Sequence, residues 1–153
     1  MAHRSNIEVD KSIRIEMIGE PTILAFSNDE EYSIVISPEA KHAGLDALRK
    51  KKIAPRHITL RLFASALFLL LKEHLAHVAL IYIDLEYQGH DNEIRTMLLR
   101  LIRQNDPFFS PEQIIFKRVG KESRAHRKAW SVQVGKVKAD RKISRDEFLR
   151  AVK

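Results

Sequence analysis

The chain has no cysteine among its 153 residues, only five glycines and five prolines, and a single tryptophan. Without cysteine there is no disulfide, no thiolate zinc site and no cysteine nucleophile. Any metal would have to sit on carboxylates and imidazoles, a donor set that suits magnesium or manganese. The small share of glycine and proline beside 44% hydrophobic residues excludes a collagen-like or disordered chain. Long apolar runs are missing as well. No stretch free of charged residues exceeds the ten of Leu62 to Leu71, against the roughly 18 needed to cross a bilayer. The opening MAHRSNIEVDKS has no apolar core or small-residue cleavage site of a secretion signal, so a cytoplasmic setting is expected and a membrane is not an expected partner. There is no G-x-x-x-x-G-K-S/T loop, G-x-S-x-G elbow, H-E-x-x-H helix or G-x-G-x-x-G fingerprint, which counts against nucleotide hydrolysis, serine hydrolysis, zinc proteolysis and dinucleotide binding.

What is present is positive charge in one place. The net charge is +7, yet residues 117 to 153 carry thirteen Lys and Arg against four Asp and Glu, while residues 1 to 116 carry 14 against 16. A basic field concentrated in one quarter of a chain is the footprint expected for a polyanion partner, because each phosphate neutralised releases counterions. The length suits one domain with a sizeable core, residues 1 to 153, with a basic C-terminal extension from about 136. Oligomeric state is left open, a homodimer included.

Hydrophobic spacing outlines the elements. Ile13, Ile15 and Met17 alternate with polar neighbours and predict a first strand over 12 to 18. TILAFS (22 to 27) and YSIVIS (32 to 37) predict two more, joined by turns at Gly19-Glu20-Pro21 and SNDEE. Ser37-Pro38-Glu39 reads as a helix start, so a helix is expected over about 38 to 51, and a second, apolar around most of its girth, over about 58 to 75. VALIYIDL (78 to 85) is a near-continuous apolar run, the mark of a strand covered on both faces. Ile94, Met97, Leu98, Leu101 and Ile102 then follow at helical spacing, a strand is expected over 114 to 119, a helix over about 124 to 134, and a short helix after the capping box at Ser144. The order is α/β: a three-strand antiparallel meander, then alternating helices and strands, which predicts a mixed sheet with helices on both faces.

Two stretches bear on chemistry. In "ASALFLLLKEHLAHVALIYIDLEY" (64 to 87), Asp84 directly follows the apolar run, a position at the exit of a central strand, and Glu86 shares its face if the strand continues. In "IIFKRVGKESRAHRKA" (114 to 129), a basic loop containing Gly120 leads into a helix opening on Ala125-His126. Together these resemble the ribonuclease H-like superfamily of nucleases, resolvases and transposases. The first stretch looks like its helix, turn and strand-Asp-x-x-Tyr segment, and the second is similar to its strand, basic loop and Asn-x-x-Ala-Asp-x-x-Ala helix, with Ala125-His126 where the family has Ala-Asp. The resemblance implies a ribonuclease H-like mixed sheet, phosphodiester hydrolysis assisted by Mg²⁺ or Mn²⁺, and Asp84, Glu86, Glu16 and His126 as catalytic and metal-ligating residues, with Asp10 the other candidate for the first-strand acid. The chain departs from the family at HITLRLFASA, where Leu60 and Arg61 stand in place of an expected Glu, and in the extra helix after residue 38.

Nucleic acid is the expected partner, held along its phosphates by Lys117, Arg118, Lys121, Arg124, Arg127 and Lys128; Lys121 lies in a loop before a helix N-terminus, a setting that attracts phosphate. Trp130 is expected in the core, His74 and His77 as structural, and His90-Asp91 as the lead-in to a helix cap. Two alternatives stand beside the nuclease: a non-catalytic nucleic-acid-binding module of the same fold, and an interaction subunit whose basic surface meets an acidic protein.

Overall fold

A computed structural model describes residues 4–28 and 30–153. Residues 1–3 of the opening segment, and residue 29 in the SNDEE turn, lie outside the described residues. The strands are β1 (Ser5–Ser12), β2 (Thr22–Ser27), β3 (Glu31–Ile36), β4 (Val78–Asp84), β5 (Ile114–Lys117) and β6 (Arg141–Ile143). The helices are α1 (Pro38–Lys50), α2 (Pro55–Leu71), α3 (Asp91–Ile102), α4 (Arg124–Gln133) and α5 (Arg145–Val152). They form a six-stranded mixed sheet in the order β5-β4-β1-β2-β3-β6. β2 alone runs against the other five: it is antiparallel to β1 and β3, whereas β4 is parallel to β1, β5 to β4 and β6 to β3. No helix among the described residues is long and apolar enough to cross a membrane.

The alternation of β2 shows how the layers are divided. Ile23 and Ala25 pack against Ala129 of α4 on one face, and Leu24 and Phe26 join the larger core built around α2 on the other. α2 is buried at almost every position from Leu60 to Leu71 because it is sandwiched between the sheet, α3 and α5. A helix packed on several sides needs no polar face.

The first strand is not where alternation put it. β1 covers Ser5–Ser12 and buries Ile7 and Val9; it stops because Ile13 takes a left-handed backbone, φ 67°, a conformation that costs a β-branched residue and cannot continue a strand. Residues 14 to 20 form successive turns, with Met17 N–H donating to the Arg14 carbonyl and Glu20 N–H to that of Met17. Ile15 drops into the core while Met17 is 52% exposed. Two isoleucines in a turn had imitated a strand.

The basic extension expected from about 136 is a structural part of the fold. Residues 141–143 form an edge strand on β3, and Phe148 and Val152 of α5 are fully buried against α1 and α2. The close approach of α5 depends on Gly44: a Cβ there would lie 2.8 Å from Phe148 Cε2 and 3.1 Å from Leu62 Cδ2. Gly44→Ala is therefore expected to lower stability by about 1–3 kcal/mol through overpacking, more than the roughly 1 kcal/mol that alanine gains in a helix interior. A urea midpoint unchanged or raised in the variant would show that the Phe148 ring can move aside.

Candidate functional site

β1 and β4 lie side by side and parallel, with Val9 opposite Ile83. The next residue of each is an aspartate, Asp10 and Asp84, so two acids come to the carboxyl ends of adjacent central strands. Asp10 is 5% exposed. Its Oδ1 accepts the Lys11 backbone N–H at 2.8 Å, and its Oδ2 lies 2.7 Å from His126 Nδ1. α4 crosses the sheet over β1, β2 and β3, fixed at its start by the Ser123 side-chain cap and by a hydrogen bond from Ser123 Oγ to Glu8 of β1 at 3.1 Å. That anchorage delivers the imidazole to Asp10. In the neutral ring, a carboxylate on Nδ1 fixes the proton there and leaves Nε2 as the basic nitrogen.

Asp84 Oδ1 accepts the Val119 N–H at 2.9 Å, tying the β5–α4 loop to the end of β4. Burial pushes the Asp84 carboxyl above its ordinary range; the Val119 N–H opposes this, the Asp10 and Glu86 carboxylates push it further up, and Lys11 pulls it back. Asp10, Lys11, Asp84 and Glu86 border a void of only about 10 Å³ against Phe63 and Leu67 of α2, and His126 is not among its lining residues. Carboxylates crowded together with incomplete compensation are the electrostatic signature of a functional site.

Glu86 and Glu16 are placed differently. Glu86 is held by Lys11 Nζ at 2.8 Å and Arg14 Nε at 2.5 Å, so its charge is already matched by two cations. Glu16 lies in the turns after β1, exposed, and accepts the Tyr87 hydroxyl at 2.8 Å. Burial and this carboxylate together push the Tyr87 phenol far up. Of the four residues expected at the centre, Asp84 and His126 are linked through Asp10, which sequence reasoning kept only as second choice. The signal for Asp10 was there: Ile7, Glu8, Val9 and Asp10 alternate as a strand. The apolar pattern at Ile13 and Ile15 drew the assignment downstream.

No acid stands at the place in α2 where the resemblance implies a Glu. Leu60 is core, and Arg61 turns to the end of α5, donating to the Val152 and Lys153 carbonyls at 3.1 and 3.0 Å. His90 lies 2.9 Å from Glu93, whose other oxygen is 3.4 Å from His57. Among the described residues no group of three His, Asp or Glu is arranged to hold a metal ion. Two carboxylates side by side still suit Mg²⁺ by donor type, since that ion commonly takes one or two carboxylates and completes its shell with water and substrate phosphate.

The six expected phosphate contacts divide in two. Lys117 lies 3.6 Å from Glu8 and 4.2 Å above the Tyr82 ring, Arg124 pairs with Glu31 at 3.1 Å, Lys128 is 3.6 Å from Asp140, and Arg127 donates to the Glu122 carbonyl. Arg118 and Lys121 are exposed on the loop whose Val119 N–H is bound by Asp84. Trp130, expected in the core, is 45% exposed, because Ala125, Ala129 and Val132 supply the inward face of α4. No family model matches the chain, and neither a curated protein nor a solved structure matches it significantly.

Proposed function

We propose that the chain is a metal-dependent nuclease of ribonuclease H-like architecture, cutting phosphodiester bonds of nucleic acid at the Asp10–Asp84 pair. The observation that carries this reading is the convergence of three side chains from separate elements, Asp10 near the end of β1, Asp84 at the end of β4, and the imidazole of α4 bonded to Asp10. The strand order, with β2 alone reversed, supports the architecture.

In this reading Asp10 and Asp84 hold Mg²⁺ or Mn²⁺. When bound, the ion acidifies a water and offsets the charge that develops on the phosphate. Asp10 also orients His126, whose Nε2 can take the proton of the attacking water, in the way a carboxylate orients a catalytic histidine. Lys11 and Arg14 match the charge of Glu86, so that it adds little negative charge beside the two aspartates. Arg118 and Lys121 meet the phosphates on either side of the cut, which sets position and not sequence.

The test is cleavage of single-stranded, duplex and branched DNA and of RNA–DNA hybrid in Mg²⁺, Mn²⁺ or EDTA. Cleavage that needs the metal is expected. A second reading, a nucleic-acid-binding module without catalysis, is favoured by the lack of a three-ligand group among the described residues. Salt-dependent binding with no cleavage of any substrate in either metal would establish it.

A further inference from the structure

Trp130 is the only tryptophan of the chain, and nothing in the core accounts for it. In α4 the buried side is Ala125, Ala129 and Val132, whereas His126 and Trp130 follow one another at i and i+4, on the same flank and about one turn, roughly 5–6 Å, apart. Arg124 and Lys128 occupy the opposite flank, where they meet Glu31 and Asp140. The indole therefore lies on the side of the helix that carries the imidazole bonded to Asp10. Lys136 Nζ covers it at 4.6 Å from the ring centroid, and Val134, whose N–H donates to the Trp130 carbonyl, is 46% exposed. An exposed aromatic flanked by a lysine, in the segment of the chain that carries its excess of positive charge, suits a ligand with both a flat π-face and a phosphate.

We propose that Trp130 is a stacking platform for an unpaired nucleobase within one or two nucleotides of His126 and Asp10, so that the preferred substrate is single-stranded, or frayed at the site of cleavage. This rests on the nuclease reading for the location of the cut, but the stacking itself can be tested without catalysis. Adjacent nucleotides rise about 3.4 Å along a stacked strand, so one helix turn between His126 and Trp130 spans one to two of them. A base in an intact duplex has both faces covered by its neighbours, so only an unpaired base can offer a face to the indole.

The single tryptophan makes the test direct. Short single-stranded DNA, single-stranded RNA and a blunt DNA duplex are titrated into the protein in EDTA while its emission is followed, and binding of the same labelled strands is measured by anisotropy. Quenching by single strands of DNA or RNA and not by the duplex is expected. Trp130→Ala should weaken single-strand binding by about tenfold to a hundredfold and leave duplex binding unchanged, while Trp130→Phe retains most of the affinity. Equal quenching by duplex, no binding of single strands, or equal affinity of Trp130→Ala and wild type for them overturns the platform. The two readings fail separately: single-strand quenching without cleavage in Mg²⁺ or Mn²⁺ upholds the platform and removes the nuclease, whereas metal-dependent cleavage with unaltered single-strand binding by Trp130→Ala does the reverse.

Discussion

Asp84→Asn is expected to abolish metal-dependent cleavage and, at the same time, to make the protein harder to unfold. Both effects come from one carboxylate. Loss of a ligand that also places charge against the reacting phosphate costs about a thousandfold in rate, the scale seen when one preorganised electrostatic group is removed. The amide oxygen of Asn can still accept the Val119 N–H, so the β5–α4 loop keeps its anchor. What disappears is a charge that burial and the neighbouring Asp10 and Glu86 carboxylates disfavour. Relief of such a charge is worth about 0.5–2 kcal/mol, in the way functional sites commonly give up stability. The sign follows from linkage. The folded-state pKa of Asp84 is raised, so its favourable contribution is complete only below the unfolded value of 3.8 and is lost as pH rises through the folded value. Thermal unfolding should therefore separate variant from wild type at pH 7 and bring them together as the pH approaches 4. Mg²⁺ should narrow the gap at pH 7 by stabilising the wild type alone. A variant less stable than wild type at pH 7 would mean that the Asp84 charge is satisfied by its surroundings, and the cation site would lose its electrostatic support.

Much of this site could be read in the sequence, and the parts that could not be read share a physical cause. Asp84 stood out because a seven-residue, mostly apolar strand ends on it, whereas His126 was named through the resemblance of Ala125-His126 to a family motif, in a helix whose start Ser123 marks. Local pattern sufficed only for the position of Asp84. Asp10 was harder, since the acid belongs to a strand whose first apolar residues, Ile7 and Val9, are followed by the misleading Ile13 and Ile15. Whether those residues continue the strand or turn into the core is decided by Lys41, 21 to 27 positions away from the carbonyls it binds, and no window of local sequence contains that contact. The pairing of Arg14 with Glu86 depends on the same turns. β6 was missed because Arg141-Lys142-Ile143 has a single apolar residue; it is a strand only because β3 has a free edge and Asp140 accepts from the Ser33 N–H at 2.8 Å. Trp130 was assigned inward on the general habit of its residue type, and the small residues on the opposite side of α4 were the cue that it faces out.

Lys41→Met is expected to cost about 3–5 kcal/mol, the range for removing one partner of a buried charged network, and so a large part of the 5–15 kcal/mol that holds a domain of this kind together. Lys41 has no exposed surface. Its ammonium lies 2.7 Å from the Met17 carbonyl, 2.8 Å from that of Glu20, 2.9 Å from Thr22 Oγ1 and 3.5 Å from the Arg14 carbonyl. Met fills similar volume but leaves these acceptors facing an apolar side chain, with the desolvation cost of each unrelieved. The expected reading is a large fall in the urea midpoint or loss of soluble protein; a fall of less than about 1 kcal/mol, within the ordinary range for a single substitution, would show that the turns hold without the lysine. The wild type carries a second signature of this contact. Burial pulls the Lys41 pKa down to about 8, against 10.5 for an ordinary lysine, with Glu16 and Glu20 opposing. Between those values the unfolded chain binds more protons than the folded one, so wild-type stability should rise by about 1 kcal/mol from pH 7 to pH 9, and Lys41→Met should lack the rise. The same turns carry Arg14 to Glu86 and Glu16 to Tyr87, so a folded but weakened Lys41 variant should also lose cleavage. Its ammonium touches none of Asp10, Asp84 and Glu86; it holds the segment that carries Arg14 to Glu86.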